Sequence, residues 1–228
     1  HSIGLNYIIR LKILLNFDSV IILNKTQIEK SCSLSFKLKT TSTLVLETKN
    51  LSISNKIAKL SSLRDFEYNG KITLFEKEIK LLKNQEIINY RNKIGVAGGD
   101  EPLFNNISIK NNLVLPLRIR NISKKIIEKR LEELVLWLDL NNIIYKEVKS
   151  LNEHELKLLQ IVRAIITNPK ILILINPLTL NSSFNTKILK LINGLISYKT
   201  TLLILENHNY NYQGVLENLE ILKLNSVV

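Results

Sequence analysis

Few side chains in this 228-residue sequence belong to the types that carry metal, thiol or imidazole chemistry. The histidines His1, His154 and His208 are scattered along the chain, and Cys32 is the single cysteine. Zinc sites need several His and Cys residues at short spacings, so we expect no metal site. One cysteine cannot form an internal disulfide, which favours a reducing compartment. A small buried apolar role suits Cys32 better than that of a reactive thiol.

The net charge of +12 and the pI near 9.7 permit an anionic partner. Nucleic acid, a lipid headgroup surface and a phosphorylated ligand all fit this charge. The heavy use of Ile, Asn, Lys and Leu is also typical of AT-rich genes, which would explain the charge without any partner. Aromatic and basic residues do not alternate and no helix is densely basic, so we do not expect nucleic-acid binding.

The elements that must position any site alternate between strands and helices. Ile171–Ile175 (ILILI) and Thr201–Leu205 (TLLIL) are apolar on both faces, which is typical of parallel strands covered by helices on both sides. A predicted helix, Thr186–Ile196, lies between them, so a parallel α/β sheet is expected. The other predicted elements are strands at Leu44–Leu46, Lys71–Phe75, Ile94–Ala97 and Leu219–Leu224, a first strand within Tyr7–Leu15, a turn at Asn69-Gly70, and helices at Asn55–Leu63, after Ser123 and at Asn152–Thr167.

Several segments from Gly70 to Asn209 follow one another in an order and spacing that resemble one family of ATPases. They are Gly70–Ile72, Leu82–Glu86, Tyr90–Val96, Asn112–Arg118 (NLVLPLR), Leu131–Leu138, Ile161–Ile165, Asn168–Lys170, Pro177 and His208. Together they resemble the ATP-binding-cassette (ABC) ATPases, and most of all the cell-division ATPases of the FtsE type. The resemblance implies one α/β domain over residues 1–228 with a P-loop NTPase-like parallel sheet. It also implies an N-terminal antiparallel β patch and a helical lobe inserted at about residues 100–152.

The resemblance places the phosphate-binding loop at Thr48–Lys56, which contains no glycine. Such a loop needs glycines so that successive backbone N–H groups can surround phosphates, together with a Lys and a Ser/Thr hydroxyl. The family's Lys aligns with Ser54, and its Ser-Thr pair aligns with Asn55 and Lys56. Lys49 or Lys56 could reach a phosphate, although a solvated loop lysine explains both better. We therefore expect no cofactor, or at most weak binding of ATP and Mg²⁺.

The positions aligned with the family's catalytic residues are also substituted. The Asp that supports Mg²⁺ aligns with Ile175, the catalytic Glu with Asn176 and the Q-loop Gln with Gly99. Ile175 offers no ligand to a metal ion, and Asn176 cannot act as a base for water. His208 alone keeps the family's residue, the switch histidine, so no catalytic set is intact. The signature segment aligns with Leu151, Asn152, Glu153, His154 and Glu155. The D-loop region, residues 179–183, lacks the family's Asp. Phe17 could stack on adenine or lie in the core.

Because these substitutions affect every catalytic motif while the apolar framework persists, we predict a degenerate FtsE-like subunit that acts as a non-hydrolysing scaffold. The resemblance implies a dimer, with itself or another ABC domain, docked on an FtsX-like protein or permease at the cytoplasmic face of the cell membrane. Pro102, Leu103 and Phe104 are the predicted docking residues. The alternatives are an active or weakly active ABC ATPase using Lys49 or Lys56, a basic nucleic-acid-binding α/β module, and an unrelated α/β domain.

Overall fold

The computed structural model describes residues 12–22, 32–48, 50–178, 185–208, 210–216 and 219–224. In these parts the chain forms two sheets. The strands are β1 (Ile13–Ile22), β2 (Cys32–Lys39), β3 (Thr43–Glu47), β4 (Asn69–Leu74), β5 (Lys77–Glu78), β6 (Ile94–Ala97), β7 (Ile171–Ile175), β8 (Thr201–Glu206) and β9 (Leu219–Lys223). The helices are α1 (Leu51–Ser61), α2 (Asn84–Arg91), α3 (Ile109–Ile119), α4 (Lys124–Trp137), α5 (Glu153–Ile165) and α6 (Asn185–Ser197).

The central sheet is parallel and has the strand order β6-β7-β8-β3-β9. Ile173 on β7 lies beside Leu203 on β8, which in turn lies beside Leu44 on β3. The prediction that the two apolar runs form neighbouring parallel strands is therefore confirmed. Because their carboxyl ends meet at one edge, the residues that follow β6, β7 and β8 lie close together there.

Two hydrophobic cores cover the two faces of this sheet. Leu172 and Leu174 face the core that includes residues of α3, α4, α5 and α6. Ile171, Ile173 and Ile175 face the other core, which is shared with α1 and the antiparallel sheet β2-β1-β4-β5. Alternate residues of one strand thus enter opposite cores, which is why the strand is apolar throughout. The α/β fold with a parallel core and an N-terminal antiparallel sheet is as predicted.

Helices α3 and α4 lie within the segment assigned to the inserted lobe. Ser108 caps α3 by accepting a hydrogen bond from the N–H of Asn111 (3.2 Å). Ile127, Leu131 and Val135 bury one face of α4 at helical spacing. Within the described parts of the chain, no helix combines the length and the apolar character that crossing a bilayer requires.

Three predictions for the N-terminal part of the chain have different outcomes. The first described strand begins at Ile13, and the predicted strand residues Tyr7–Leu11 lie outside the described residues. Phe17 is 1% exposed and its ring stacks on Phe36 at 4.5 Å, so it belongs to the core and is not free to stack on a base. Gly70 is a strand residue of β4 rather than a turn. Its φ of +96° and its close approach to the carbonyl of Ser19 explain the glycine.

Candidate functional site

The connection between β3 and α1 is only three residues long, because β3 ends at Glu47 and α1 begins at Leu51. The predicted helix start, Asn55, is therefore wrong by four residues. Asn50 caps the helix, and its Oδ1 accepts a hydrogen bond from the N–H of Ile53 at 3.0 Å. A helix N-terminus binds anions through such free N–H groups, and here a side chain of the protein occupies one of them. Lys49, proposed to reach a phosphate, lies outside the described residues.

Ser54, aligned with the phosphate-binding lysine, is fully buried beneath this connection. Its Oγ lies 2.6 Å from Oγ1 of Thr48 and donates to the carbonyl of Asn50 at 3.4 Å. The hydroxyl group of Thr48 also donates to the carbonyl of Glu206 at 3.4 Å. These bonds tie the ends of β3, α1 and β8 together. The hydroxyl group of Ser54 is therefore engaged within the fold, and its assignment as the aligned, degenerate nucleotide-binding position stays a prediction.

Lys56 is directed away from the sheet edge and forms an ion pair. Its Nζ lies 2.7 Å from Oδ2 of Asp65, and the two side chains are 19% and 20% exposed. Burial by itself would raise the pKa of Asp65, but hydrogen bonds from Lys56 and from the N–H groups of Glu67 and Phe66 hold that pKa below its ordinary value. Lys56 is thus engaged in a local contact rather than available to a phosphate.

We expect Lys56→Met to destabilise the protein by about 1 kcal/mol at neutral pH, the usual worth of a partly buried charged hydrogen bond. A carboxyl with a lowered folded pKa stabilises the fold above its unfolded value of about 3.9, and this stability is lost as the pH falls through the folded pKa. The difference between wild type and variant should therefore shrink in acid. Urea unfolding at a series of pH values measures this difference in the free energy of unfolding.

Lys59→Met, which removes the more exposed pair with Asp100, is the matched control and should destabilise the protein less. An equal loss at every pH would contradict this role.

Asn55 and Gly99, both predicted site residues, are brought together by the fold. Nδ2 of Asn55 donates to Oδ1 of Asp100 at 3.0 Å, and Lys59 reaches the other oxygen of Asp100 at 2.7 Å. Gly99 has φ +56°, and a Cβ atom there would lie 2.0 Å from Oδ1 of Asn55. The side chain of Asn55 thus fills the space where a longer residue at position 99 would lie.

A cleft of about 320 Å³ opens at the carboxyl ends of β6 and β7. It is lined by Leu51, Ala97, Gly98, Gly99, Glu153, Leu156, Lys157, Gln160, Ile161, Ile175, Asn176, Pro177 and His208. Four of the predicted site residues, Gly99, Glu153, Asn176 and His208, therefore share one cleft. Sequence reasoning missed Lys157 and Gln160. The one signal for Lys157 was its position four residues after Glu153 on a helix, which places both on one face.

The two polar groups at the base of this cleft are largely engaged by the protein itself. Asn176, with φ +43°, exchanges hydrogen bonds with Asn207: its Oδ1 accepts from the Asn207 N–H at 3.0 Å and its Nδ2 donates to the Asn207 side chain. Lys157 donates to the carbonyls of Asn176 and Leu178, both at 3.2 Å, and lies 3.8 Å from Glu153. Asn176 thus joins the ends of β7 and β8.

The segment aligned with the family signature forms the start of α5. Asn152 and Glu155 make a reciprocal capping box: Oδ1 of Asn152 accepts from the Glu155 N–H at 3.0 Å, and Oε2 of Glu155 accepts from the Asn152 N–H at 2.9 Å. Leu151 and His154 are half-buried beside them, while Glu153 is exposed at the cleft. A capped helix start that carries two acidic residues does not attract an anion.

The predicted docking residues Pro102, Leu103 and Phe104 have different environments. Leu103 is 7% exposed and belongs to the core, so little of its side chain is accessible to a partner. Phe104 is 54% exposed and Pro102 is exposed as well. Both border a groove of about 310 Å³ that also contains Leu115, Pro116, Ile119 and the arginines Arg64, Arg120 and Arg163.

Residues 101–104, which border this groove, are held in place by hydrogen bonds from two helices. Arg163 of α5 donates to the carbonyls of Pro102 at 2.8 Å and Glu101 at 3.0 Å. The buried Asn112 of α3 accepts from the N–H of Phe104 at 2.7 Å and donates to its carbonyl at 2.9 Å. The exposed ring of Phe104 is therefore presented from a fixed backbone.

Comparison with known proteins places this geometry in a family. The family model described as ABC transporter matches residues 53–179. The methionine import ATP-binding protein MetN of Clostridium acetobutylicum is 25% identical over 159 residues, which are 67% of this chain and 48% of that protein. The molybdate/tungstate import ATP-binding protein WtpC of Methanocaldococcus jannaschii is 27% identical over 100 residues, 42% of this chain and 34% of that protein. The chain thus spans about half the length of the first curated relatives it matches.

Solved structures agree with the fold. The dimeric post-hydrolysis ATP-binding cassette MJ0796 with ADP and Pi superposes with a TM-score of 0.74 at 18% identity, covering 92% of this chain and 96% of that one. CbiO1 of Clostridium perfringens, part of the ABC transporter complex cbiONQ, gives a TM-score of 0.75 at 15% identity, covering 93% and 87%. These relatives lend no support to the narrower FtsE assignment. The family model covers more than half of the chain, and the protein therefore belongs to the ABC transporter family as an ATP-binding-cassette domain.

Proposed function

We propose that this domain is a non-hydrolysing ABC subunit, a scaffold that docks on an integral membrane permease. The observation that carries the proposal is the three-residue connection from β3 to α1, capped by Asn50. An ABC ATPase holds its nucleotide phosphates at this place through a glycine-rich backbone loop. Here three residues, none of them a glycine, separate the end of β3 from the start of α1.

The residues present do not fit ATP and Mg²⁺. Ser54 is buried in a hydroxyl pair with Thr48, and Lys56 is bound to Asp65. Ile175, at the end of β7, offers no oxygen ligand to a metal ion. Among the described residues, no group of three His, Cys, Asp or Glu side chains lies close enough to hold a metal ion. We therefore derive no hydrolytic step for this chain. Lys56 does not support the hypothesis of a weakly active ATPase, because its ammonium group is already paired with Asp65.

Dimerisation is part of this proposal. In the family resemblance the signature segment faces the nucleotide of the second domain. Here it begins with the capping box of Asn152 and Glu155, and Glu153 projects beside it into the cleft. These carboxylates would repel a phosphate held by a partner domain. Because this repulsion would act on a nucleotide held by either kind of partner, the proposal is the same for a homodimer and for a heterodimer with another ABC domain.

The groove bordered by Pro102 and Phe104 is the proposed docking surface for the permease. It combines exposed apolar side chains, Phe104 and Ile119, with three arginines that already have partners within the protein. Arg64 pairs with Glu101, and Arg120 donates to the carbonyl of Asn92. An amphipathic helix at the membrane surface could place its apolar face on this groove. The subunit would then lie on the cytoplasmic face of the membrane. MetN and WtpC are named as import proteins, which favours an importer permease, while an FtsX-like partner and a role in cell division rest on sequence resemblance alone.

Thermal unfolding with Mg·ATP tests the absence of a nucleotide site. A ligand present at 100 times its Kd stabilises the folded state by about 2.7 kcal/mol. For a domain of this size each kcal/mol moves Tm by roughly 2–4 °C. We expect millimolar Mg·ATP to change Tm by less than about 1 °C, no more than Mg·sulfate at equal ionic strength. A rise of several degrees that requires both Mg²⁺ and the γ-phosphate would overturn the proposal.

A further inference from the structure

A buried carboxylate lies at the end of β8, beneath the cleft. Glu206 is 1% exposed, although the preceding strand residues are almost entirely apolar. Its Oε2 accepts a hydrogen bond from the hydroxyl group of Tyr212 at 2.7 Å, and its Oε1 accepts one from the N–H of His208 at 2.9 Å. Neither the docking groove nor the β3–α1 connection uses this side chain. Burying a carboxylate is costly unless it is hydrogen-bonded or paired, and here two hydrogen bonds from the described residues satisfy it.

Tyr212 completes the support of this carboxylate. It is itself 1% exposed and lies in the segment that follows β8. Burial, reinforced by the neighbouring charge of Glu206, raises the pKa of Tyr212 well above its ordinary value. Its hydroxyl group therefore keeps its proton and acts as a permanent donor. The carboxylate is thus held in one position by a side chain on one oxygen and by backbone on the other.

His208 connects this buried pair with the cleft. Its Nδ1 lies 3.9 Å from Oε1 of Glu206, while its side chain is 40% exposed and lines the cleft. The Nδ1 edge of the imidazole therefore lies near the carboxylate, while the same side chain lines the cleft. Lys157 and Glu153 of α5 line the same cleft, and the ring of Tyr210 lies 5.0 Å from that of Tyr212.

We propose that Glu206 is a positioning residue that keeps the proton of His208 on Nδ1 and presents Nε2 to the cleft as a hydrogen-bond acceptor. A carboxylate beside one ring nitrogen favours the proton on that nitrogen, and this choice sets the character of the other. The cleft then offers a neutral acceptor from the residue that follows Asn207, beside Lys157 of α5, whose ammonium group donates to the carbonyls of Asn176 and Leu178. A ligand of this cleft is recognised at His208 through an O–H or N–H group that it donates.

The tautomer of His208 is measured directly by ¹⁵N NMR on the full chain, at a pH about two units above the ordinary histidine pKa of about 6.5. Spectra of His208→Gln identify the signals of His208. We expect wild-type His208 to carry its proton mainly on Nδ1. In Glu206→Gln the carboxylate charge is gone and the amide N–H₂ can donate to Nδ1, so the proton should move mainly to Nε2. His154, on another element, should not change.

Tyr212→Phe is the matched control, because it removes one hydrogen bond to Glu206 but leaves the negative charge in place. We expect the Nδ1–H form to persist in this variant. Circular dichroism and Tm show whether each variant is folded. If Glu206→Gln does not fold, the wild-type spectrum alone decides the question. Wild-type His208 with its proton on Nε2, or an unchanged tautomer in a folded Glu206→Gln protein, would exclude the positioning role. These outcomes are independent of nucleotide binding and of membrane docking.

Discussion

Purified protein with Mg·ATP is expected to release phosphate no faster than the buffer blank, at least about 10⁴-fold below the ~1 s⁻¹ scale of ordinary enzymes. Loss of a single charge-stabilising group typically costs about 10²–10³-fold in rate. At the aligned positions, Ser54 replaces the phosphate-binding lysine, Ile175 replaces the aspartate that supports the metal ion, and Asn176 replaces the catalytic glutamate. Such losses are not additive, but the site lacks the parts that bind phosphate as well as those that activate water.

Two variants make this measurement decisive. Asn176→Ala removes the aligned catalytic side chain and should leave any background unchanged. Asn176→Glu restores a carboxylate at the same position and should also give no turnover, because the phosphates still have no backbone cradle at the β3–α1 connection. If the wild type turns over near 1 s⁻¹ and Asn176→Ala abolishes this turnover, the hypothesis of an active ATPase is supported and the proposal is wrong. The assay should be repeated with membranes containing the partner, since partner contacts can order a catalytic site.

Phe104→Asp should release the protein from the membrane fraction of its own cells while leaving it folded. The ring is 54% exposed, so a charged replacement costs the free protein little stability. When the partner helix covers the groove, an aromatic side chain of this kind contributes about 2 kcal/mol or more to binding. Membrane binding of the variant should therefore fall by at least about tenfold. Leu103 must stay unchanged, because it lies in the core and its replacement by Asp would test folding instead.

Leu81→Asp is the matched control for this experiment. Leu81 is a 76% exposed apolar residue after β5 and does not border the groove. We expect it to leave the membrane-bound fraction unchanged. Tm values of both variants close to wild type establish that the fold is intact. If Phe104→Asp stays membrane-bound to the same extent as Leu81→Asp, docking through this groove is wrong.

The sequence by itself determined the framework of this domain, because the signals for it are local. The run Ile171–Ile175 must be covered on both faces to keep its apolar side chains from water, which specifies a central parallel strand. The 3.6-residue spacing in α4, and for α5 the acidic residues Glu153 and Glu155 followed by the stop at Asn168-Pro169, specify these helices within a few residues. The absence of glycine from Thr48–Lys56 likewise indicated that no phosphate loop of the usual kind could form.

The tertiary structure decided which side chains meet. Leu103 and Phe104 are equally apolar in the sequence, yet the fixed backbone between Arg163 and Asn112 directs one into the core and the other outward. Lys157 became a cleft residue because α5 packs beside the carbonyl ends that follow β7. These relations arise from contacts between elements that are distant in sequence, and such contacts leave no periodicity or motif that could be read beforehand.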